Sequence, residues 1–198
     1  MLFIERKQSM PPIPKFSKED ILNCAYEIVK KEGFEGLNAR KIAKFLGCSV
    51  QPIFHNFTSM EELNKEVYQL IYHKYQEYML SGKEKEDNPY KQMGLSYIKF
   101  ASDYPEFFMQ KTNLNANDFV MTDSIGEDVI KTGQMVTGLS YEEQKKFHVK
   151  VWIFTHGIAC LVATKTIQFT KEEIEELLAK SIKEMLIGYK KEKKNEGK

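Results

Sequence analysis

Apolar residues recur along this chain at three- and four-residue intervals and never in sustained alternation, which predicts an all-α protein. Ser17 opens the first helix: Phe16 and Ile21 can staple the entry, Asp20 stands where a capping box needs its acceptor, and Gly33 closes the run. Its buried face is Ile21, Ala25, Ile28 and Val29. Asn38 is the N-cap of a second helix, with Leu37 and Ile42 as its staple and Ile42, Ala43 and Leu46 on one face. Gly47 supplies the left-handed residue that ends it. Ser49 is expected to cap a third helix, with Cys48 and Ile53 at its staple positions and Pro52 in the first turn, where a missing N–H does little harm. Ile53 and Phe57 then face inward. Thr58 or Ser59, with Glu61 or Glu62, starts a fourth helix that runs to about Leu80, some twenty residues or about 30 Å.

The polar stretch SGKEKEDN at 81–88 is the best break in the chain. Beyond it, Asn88 and Pro89 open a helix to about Ser102, and Pro105 starts a short one carrying Phe107 and Phe108. A further helix is expected from about Asp118 to Val136, although Gly126 and Gly133 count against it. Ser140 with Glu143 boxes a long helix to about Ile167. Its middle, FHVKVWIFTHGIACLVA, is apolar almost all round and so should be buried on more than one side. Thr170 with Glu173 boxes the last helix, which buries Ile174, Leu177, Leu178, Ile182, Met185 and Tyr189. About nine helices result. They divide into a proline-containing arm (1–16), a three-helix head (17–58), a helical body (59–190) and a charged tail (191–198) expected to fray.

Two short helices joined by a glycine turn form a helix-turn-helix, whose second helix fits the DNA major groove. Its outward residues have the right chemistry. Arg40, Lys41 and Lys44 lie on the first helix; Val50, Gln51, His55 and Asn56 lie on the second. Arginine can make two hydrogen bonds to guanine, glutamine two to adenine, and valine or the ring of Pro52 can touch a thymine methyl. Composition changes little in this picture. The chain has 198 residues, 42% hydrophobic and 12% aromatic, enough for a packed core, and a net charge of only +1. That charge is unevenly spread, about +3 in residues 1–60 and about −2 after them, the direction expected of an N-terminal DNA module.

Other chemistries find no support in the sequence. Cys24, Cys48 and Cys160 are odd in number and lack CxxC spacing, so they read as reduced thiols of a cytoplasmic protein. The N-terminal apolar run is too short for a signal peptide, and no stretch is long enough to span a membrane. His148 and His156 are eight apart, too distant for a helical metal pair, and there is no nucleophile elbow or glycine-rich phosphate loop. The expectation is no enzyme, no metal and no cofactor.

The stretch LNARKIAKFLGCSVQPIFHNFTSMEEL, 37–63, resembles the head of the TetR family of bacterial transcriptional regulators, and the resemblance extends over roughly residues 17–70. YIKFASDYPEFF, 97–108, is similar to the opening of many TetR-type ligand domains. Trp152, His156 and Gly157 are similar to the Trp–His–Gly pattern of one C-terminal subclass. The resemblance implies that Arg40 contacts a base or phosphate, that Val50, Gln51 and Pro52 read bases, and that Phe54 and Asn56 sit at backbone-contacting positions. Phe54 stands where the family usually has Tyr, and Met60 where it usually has Lys. Both changes remove a phosphate contact, a main source of affinity, for which Lys44, Lys65 or the arm with Arg6, Lys7 and Lys15 can compensate. The family further implies a homodimer through the last two helices, a palindromic operator, and a repressor released by a small apolar ligand in the body. Candidate ligand contacts are Tyr97, Phe100, Phe107, Phe108, Met121, Trp152 and His156. The alternative is a helical dimeric interaction protein with a degenerate head, a reading fed by Phe54 and Met60.

Overall fold

The computed structural model describes residues 16–84, 88–112 and 124–196. Among these it contains nine α-helices and one 3-10 turn, with no strand. We number them α1 (Lys18–Glu32), the 3-10 turn (Phe34–Gly36), α2 (Ala39–Leu46), α3 (Gln51–Asn56), α4 (Met60–Lys83), α5 (Pro89–Asp103), α6 (Pro105–Thr112), α7 (Ser124–Thr137), α8 (Tyr141–Ala163) and α9 (Lys171–Glu196).

Most helix starts follow from local capping. The Ser17 hydroxyl accepts the Asp20 N–H, while the Asp20 carboxylate accepts the Ser17 N–H at 2.9 Å. Asn38 Oδ1 accepts the Lys41 N–H at 2.9 Å, and Asn88 does the same for Lys91. Ser59 accepts the Glu62 N–H, and the Glu62 carboxylate reaches back to Thr58. Ser140 pairs with Glu143, and Thr170 with Glu173, as boxes. Gly47 is left-handed (φ 66°, ψ 37°) and closes α2 with bonds from Cys48 N–H to Ala43 and from Gly47 N–H to Lys44, the pattern that satisfies the last carbonyls.

The structure departs from expectation at four ends. Ser49 does not cap α3: the N-cap is Val50, and no side chain caps the helix. With Ser49 as the cap, the donors available to its side chain would be the N–H groups of Gln51 and of Pro52, and Pro52 has none, so the usual capping interaction is weakened. α8 stops at Ala163 rather than near Ile167. Lys165 takes the left-handed conformation (φ 55°), Thr166 N–H bonds to Leu161, and Lys165 N–H bonds to Val162, so a glycine-type stop is made by a lysine. α4 runs on to Lys83, past Leu80. The charged tail, expected to fray, is helical over its described residues: α9 continues to Glu196, and Lys190 donates to the Thr137 carbonyl at 2.8 Å while Lys193 pairs with Glu143. Of the helix expected from Asp118, residues 118–123 lie outside those described.

The apolar faces close into one continuous core. In the head, Ile21, Ala25, Val29, Ile42, Ile53 and Phe57 are buried together, and Leu63 and Val67 of α4 join them. In the body, α5 is central and touches α4, α6, α7, α8 and α9. Gly133 in α7, which weakened the sequence case for a helix, has a packing reason. A Cβ there would collide with the buried Gln144 amide and lie 2.9 Å from the Tyr90 ring, so a glycine lets α7 sit this close to α8 and α5. Gly133→Ala is therefore expected to destabilise the fold by about 2 kcal/mol, as overpacked cores do, which thermal denaturation would register.

Candidate nucleic-acid interface and internal cavity

α2 and α3 hold the helix-turn-helix residues on one packed unit. Arg40, Lys44, Val50, Gln51 and His55 are exposed, and Pro52 is half-buried. Neither Arg40 nor Lys44 has an ion-pair partner among the described residues, whereas Lys41 is paired with Glu32. The recognition surface thus keeps its cations open to an external anion. Val50 and Phe54, one helical turn apart, are 39% and 49% exposed and give it an apolar stripe. Asn56 is placed differently from the sequence expectation. Its amide donates to the Pro52 carbonyl at 2.8 Å and to Phe16 at 3.4 Å, so it ties the end of α3 to the start of α1. Met60 is half-buried against the core. Phe45, 64% exposed, was not singled out by the sequence reading. It lies one turn from Lys41, away from the face that carries Arg40 and Lys44.

The head rests on α4 and α6. Tyr26 and Tyr104 share a hydrogen bond at 2.5 Å, Phe34 of the 3-10 turn meets Phe107 of α6, and Lys18 pairs with Glu66 of α4 at 2.6 Å. Phe100 stacks on Tyr104 and meets Tyr75, Tyr78 and Phe107 edge-on. Aromatic contact is thus continuous from the interior of the body to the underside of the head.

That interior contains a cavity of about 50 Å³. Its wall comes from α4, α5, α7, α8 and α9, with Met79, Met93, Ile125, Val129, Val151 and Ile182 as the aliphatic part. Tyr97 and Trp152, expected at a ligand site, line it. His156 stands just behind them: its Nδ1 is 2.9 Å from the Tyr97 hydroxyl, Nε2 is 3.4 Å from Cys160 Sγ, and its ring stacks on Trp152. Phe100, Phe107 and Phe108 are almost fully buried and pack within the core, off the cavity wall. Met121 lies outside the described residues. The sequence reading missed Tyr75, Tyr90 and His148, all on the wall. For His148 there was one signal, its place on the same helix face as Trp152 and His156.

Tyr90 and His148 form a second tyrosine–histidine pair, with the hydroxyl 2.8 Å from Nδ1. α5 and α8 are therefore joined by two such rungs. Burial holds the His148 imidazole down to about 4 and also lowers His156, so both are neutral near pH 7. The linkage has a definite sign. Below the ordinary histidine value the unfolded chain takes up a proton that folded His148 refuses, so stability falls with acidification between about 6.5 and about 4. Lowering the pH from about 7 to about 5 is expected to cost about 2 kcal/mol through this one group. Urea unfolding of His148→Gln at the two pH values should show that loss removed. The carboxylates of Asp20 and Glu62, held low by hydrogen bonds from Ser17 and Thr58, stabilise the fold above their ordinary values and lose that contribution only at the acid end of this window and below it.

Comparison with solved structures now bears on this geometry. A transcriptional regulator from Rhodococcus sp. Rha1 superposes with a TM-score of 0.57 at 16% identity, covering 87% of this chain and 97% of its own. A protein of Mesorhizobium loti MAFF303099, assigned to the TetR family of transcriptional regulators, superposes with a TM-score of 0.53 at 18% identity, covering 86% and 95%. The chain has the TetR-regulator fold. No family model matches its sequence, and no curated protein does either. No helix among the described residues is long and apolar enough to cross a membrane, and none of them group as a metal site.

Proposed function

We propose that this protein is a homodimeric, sequence-specific DNA-binding transcriptional regulator, a repressor released by a small molecule held in the body. The observation that carries the reading is the surface of α2 and α3. Arg40, Lys44, Gln51 and His55 stand exposed on a rigid, fully packed head, with neither Arg40 nor Lys44 neutralised by a neighbour among the described residues. Arg40 and Lys44 supply charge for phosphates or guanine, and Gln51 and Val50 supply base-edge contacts. Asn56 and Pro52 act by holding the start and end of α3 in place.

Exposed apolar side chains on α8 and α9 support dimerisation. Val149 and Ile153 of α8 and Ile187 of α9 are exposed in the single chain, although α8 is apolar almost all round. Two α8–α9 pairs meeting face to face would cover them and set two heads toward successive major grooves, about 34–36 Å apart. Ligand control uses the aromatic contacts from Tyr97 through Tyr75 and Phe100 to Tyr104 and the head. A molecule in the cavity can release DNA only by binding better to the conformation with the wrong head spacing.

Selection from a random duplex library by the full-length protein tests the reading. It should enrich two inverted half-sites one helical turn apart. On the enriched duplex, Gln51→Ala is expected to weaken binding by about 5- to 150-fold and to relax one base position. The second reading, a dimeric interaction protein with a degenerate head, is favoured by exposed Phe45 and Phe54. Under it nothing is enriched, and Arg40→Ala and Gln51→Ala leave partner binding unaltered.

A further inference from the structure

We infer that the cavity takes an uncharged, one-ring molecule carrying a single hydrogen-bonding oxygen, phenol-like in class, anchored on the Tyr90–His148 pair. The inference rests on the ligand-responsive reading above and specifies its ligand.

Size comes first. A cavity of about 50 Å³ has room for the centres of roughly three to five waters, which fill about 90–150 Å³ as liquid, close to one aromatic ring. Charge comes second. Among the described residues the wall holds no Lys, Arg, Asp or Glu. The nearby buried cation Lys91 is already paired with Glu175 at 3.0 Å. A carboxylate or ammonium would enter with nothing to neutralise it, and burying such a group costs heavily. Polarity comes third. Most of the wall is aliphatic and aromatic, but Tyr90 and His148 place a hydroxyl and an imidazole on it, 2.8 Å apart. A neutral imidazole has one N–H and one lone pair. Whichever of these Nδ1 uses toward Tyr90, Nε2 offers the other, and no hydrogen bond engages Nε2 among the described residues. The Tyr97–His156 rung is different, because His156 Nε2 is already beside Cys160 Sγ. The wall also carries the hydroxyls of Tyr75, Tyr97 and Thr155 and the Trp152 indole, but Tyr97 is bonded to His156 and Thr155 donates to the Val151 carbonyl at 2.8 Å. The Tyr90–His148 pair is therefore the anchor, and a hydroxyl, which both donates and accepts, satisfies it in either tautomer.

Titration calorimetry of the full-length protein with phenol, toluene and benzoate separates the possibilities. A purely apolar cavity would favour toluene, which is the easier of the two to remove from water. The anchor predicts the reverse order, with phenol about fivefold or more tighter than toluene and benzoate at least about tenfold weaker than phenol. In His148→Leu the ratio of phenol to toluene affinity should fall below one. Toluene binding as tightly as phenol in the native protein would overturn the anchor while leaving the cavity a ligand site. Benzoate binding tightest would overturn the exclusion of charge. Binding of none of the three would overturn both this inference and the ligand-responsive reading on which it rests, while leaving the DNA-binding claim to its own test.

Discussion

Ile153→Glu combined with Ile187→Glu is expected to leave the chain folded, to convert the dimer to a monomer, and to weaken binding to a palindromic duplex by at least about 100-fold. Both side chains are 58% exposed, so neither contributes much to the core of a single subunit, and glutamate at both sites is tolerated there. In a face-to-face dimer, however, each copy would bury two uncompensated carboxylates per subunit. Losing the dimer loses the second half-site, and the affinity gained by linking two heads disappears with it. Sedimentation would report the assembly state and circular dichroism the fold. A double variant that stays dimeric would place the interface elsewhere. A variant that becomes monomeric but binds as before would show that one head suffices.

Phe100→Ala is expected to cost about 3–5 kcal/mol of stability, the usual range for a buried Phe in a packed interior. Phe100 is 1% exposed and touches Tyr75, Tyr78, Tyr104 and Phe107 at once. For a chain of this size, that corresponds to a fall in Tm of roughly 6–20 °C. Phe100→Leu retains much of the volume and should lose less than half as much. An alanine variant with an unchanged Tm would mean that Phe100 borders open space and belongs to the cavity after all.

Phe100 also shows where sequence reading stops. An aromatic at helical spacing is written the same way whether it fills a core or lines a cavity. Only the packing of α4 and α6 around it tells the two apart. Tyr97, three residues earlier, was nominated on the same grounds and does face the cavity. What was legible is what is local. Ser17 with Asp20, Asn38 with Gly47, Asn88 with Pro89, and Ser140 with Glu143 each settle a helix end within a few residues, and those ends stand where the pattern places them. Local logic failed where two local signals conflicted or where a distant residue decided. Ser49 was defeated by Pro52, three positions on. The α8 stop at Lys165 carries no glycine to announce it. Past Tyr189 the helix is held by Lys190 and Lys193, which find partners at the end of α7 and the start of α8. The bond from the Asn56 amide to the Phe16 carbonyl joins residues 40 positions apart, so the tie between α3 and the start of α1 could not be read locally. The Tyr90–His148 pair joins residues 58 positions apart, and neither half of it has meaning alone.

The most direct measurement of the central claim is fluorescence anisotropy of the native protein on the DNA upstream of its own gene, beside scrambled DNA of equal length, across a salt series. The account predicts tight binding to the first duplex alone, weakening steeply with salt and collapsing in Arg40→Ala. A folded dimer that binds neither duplex at low salt would contradict it and make the head a surface for another partner.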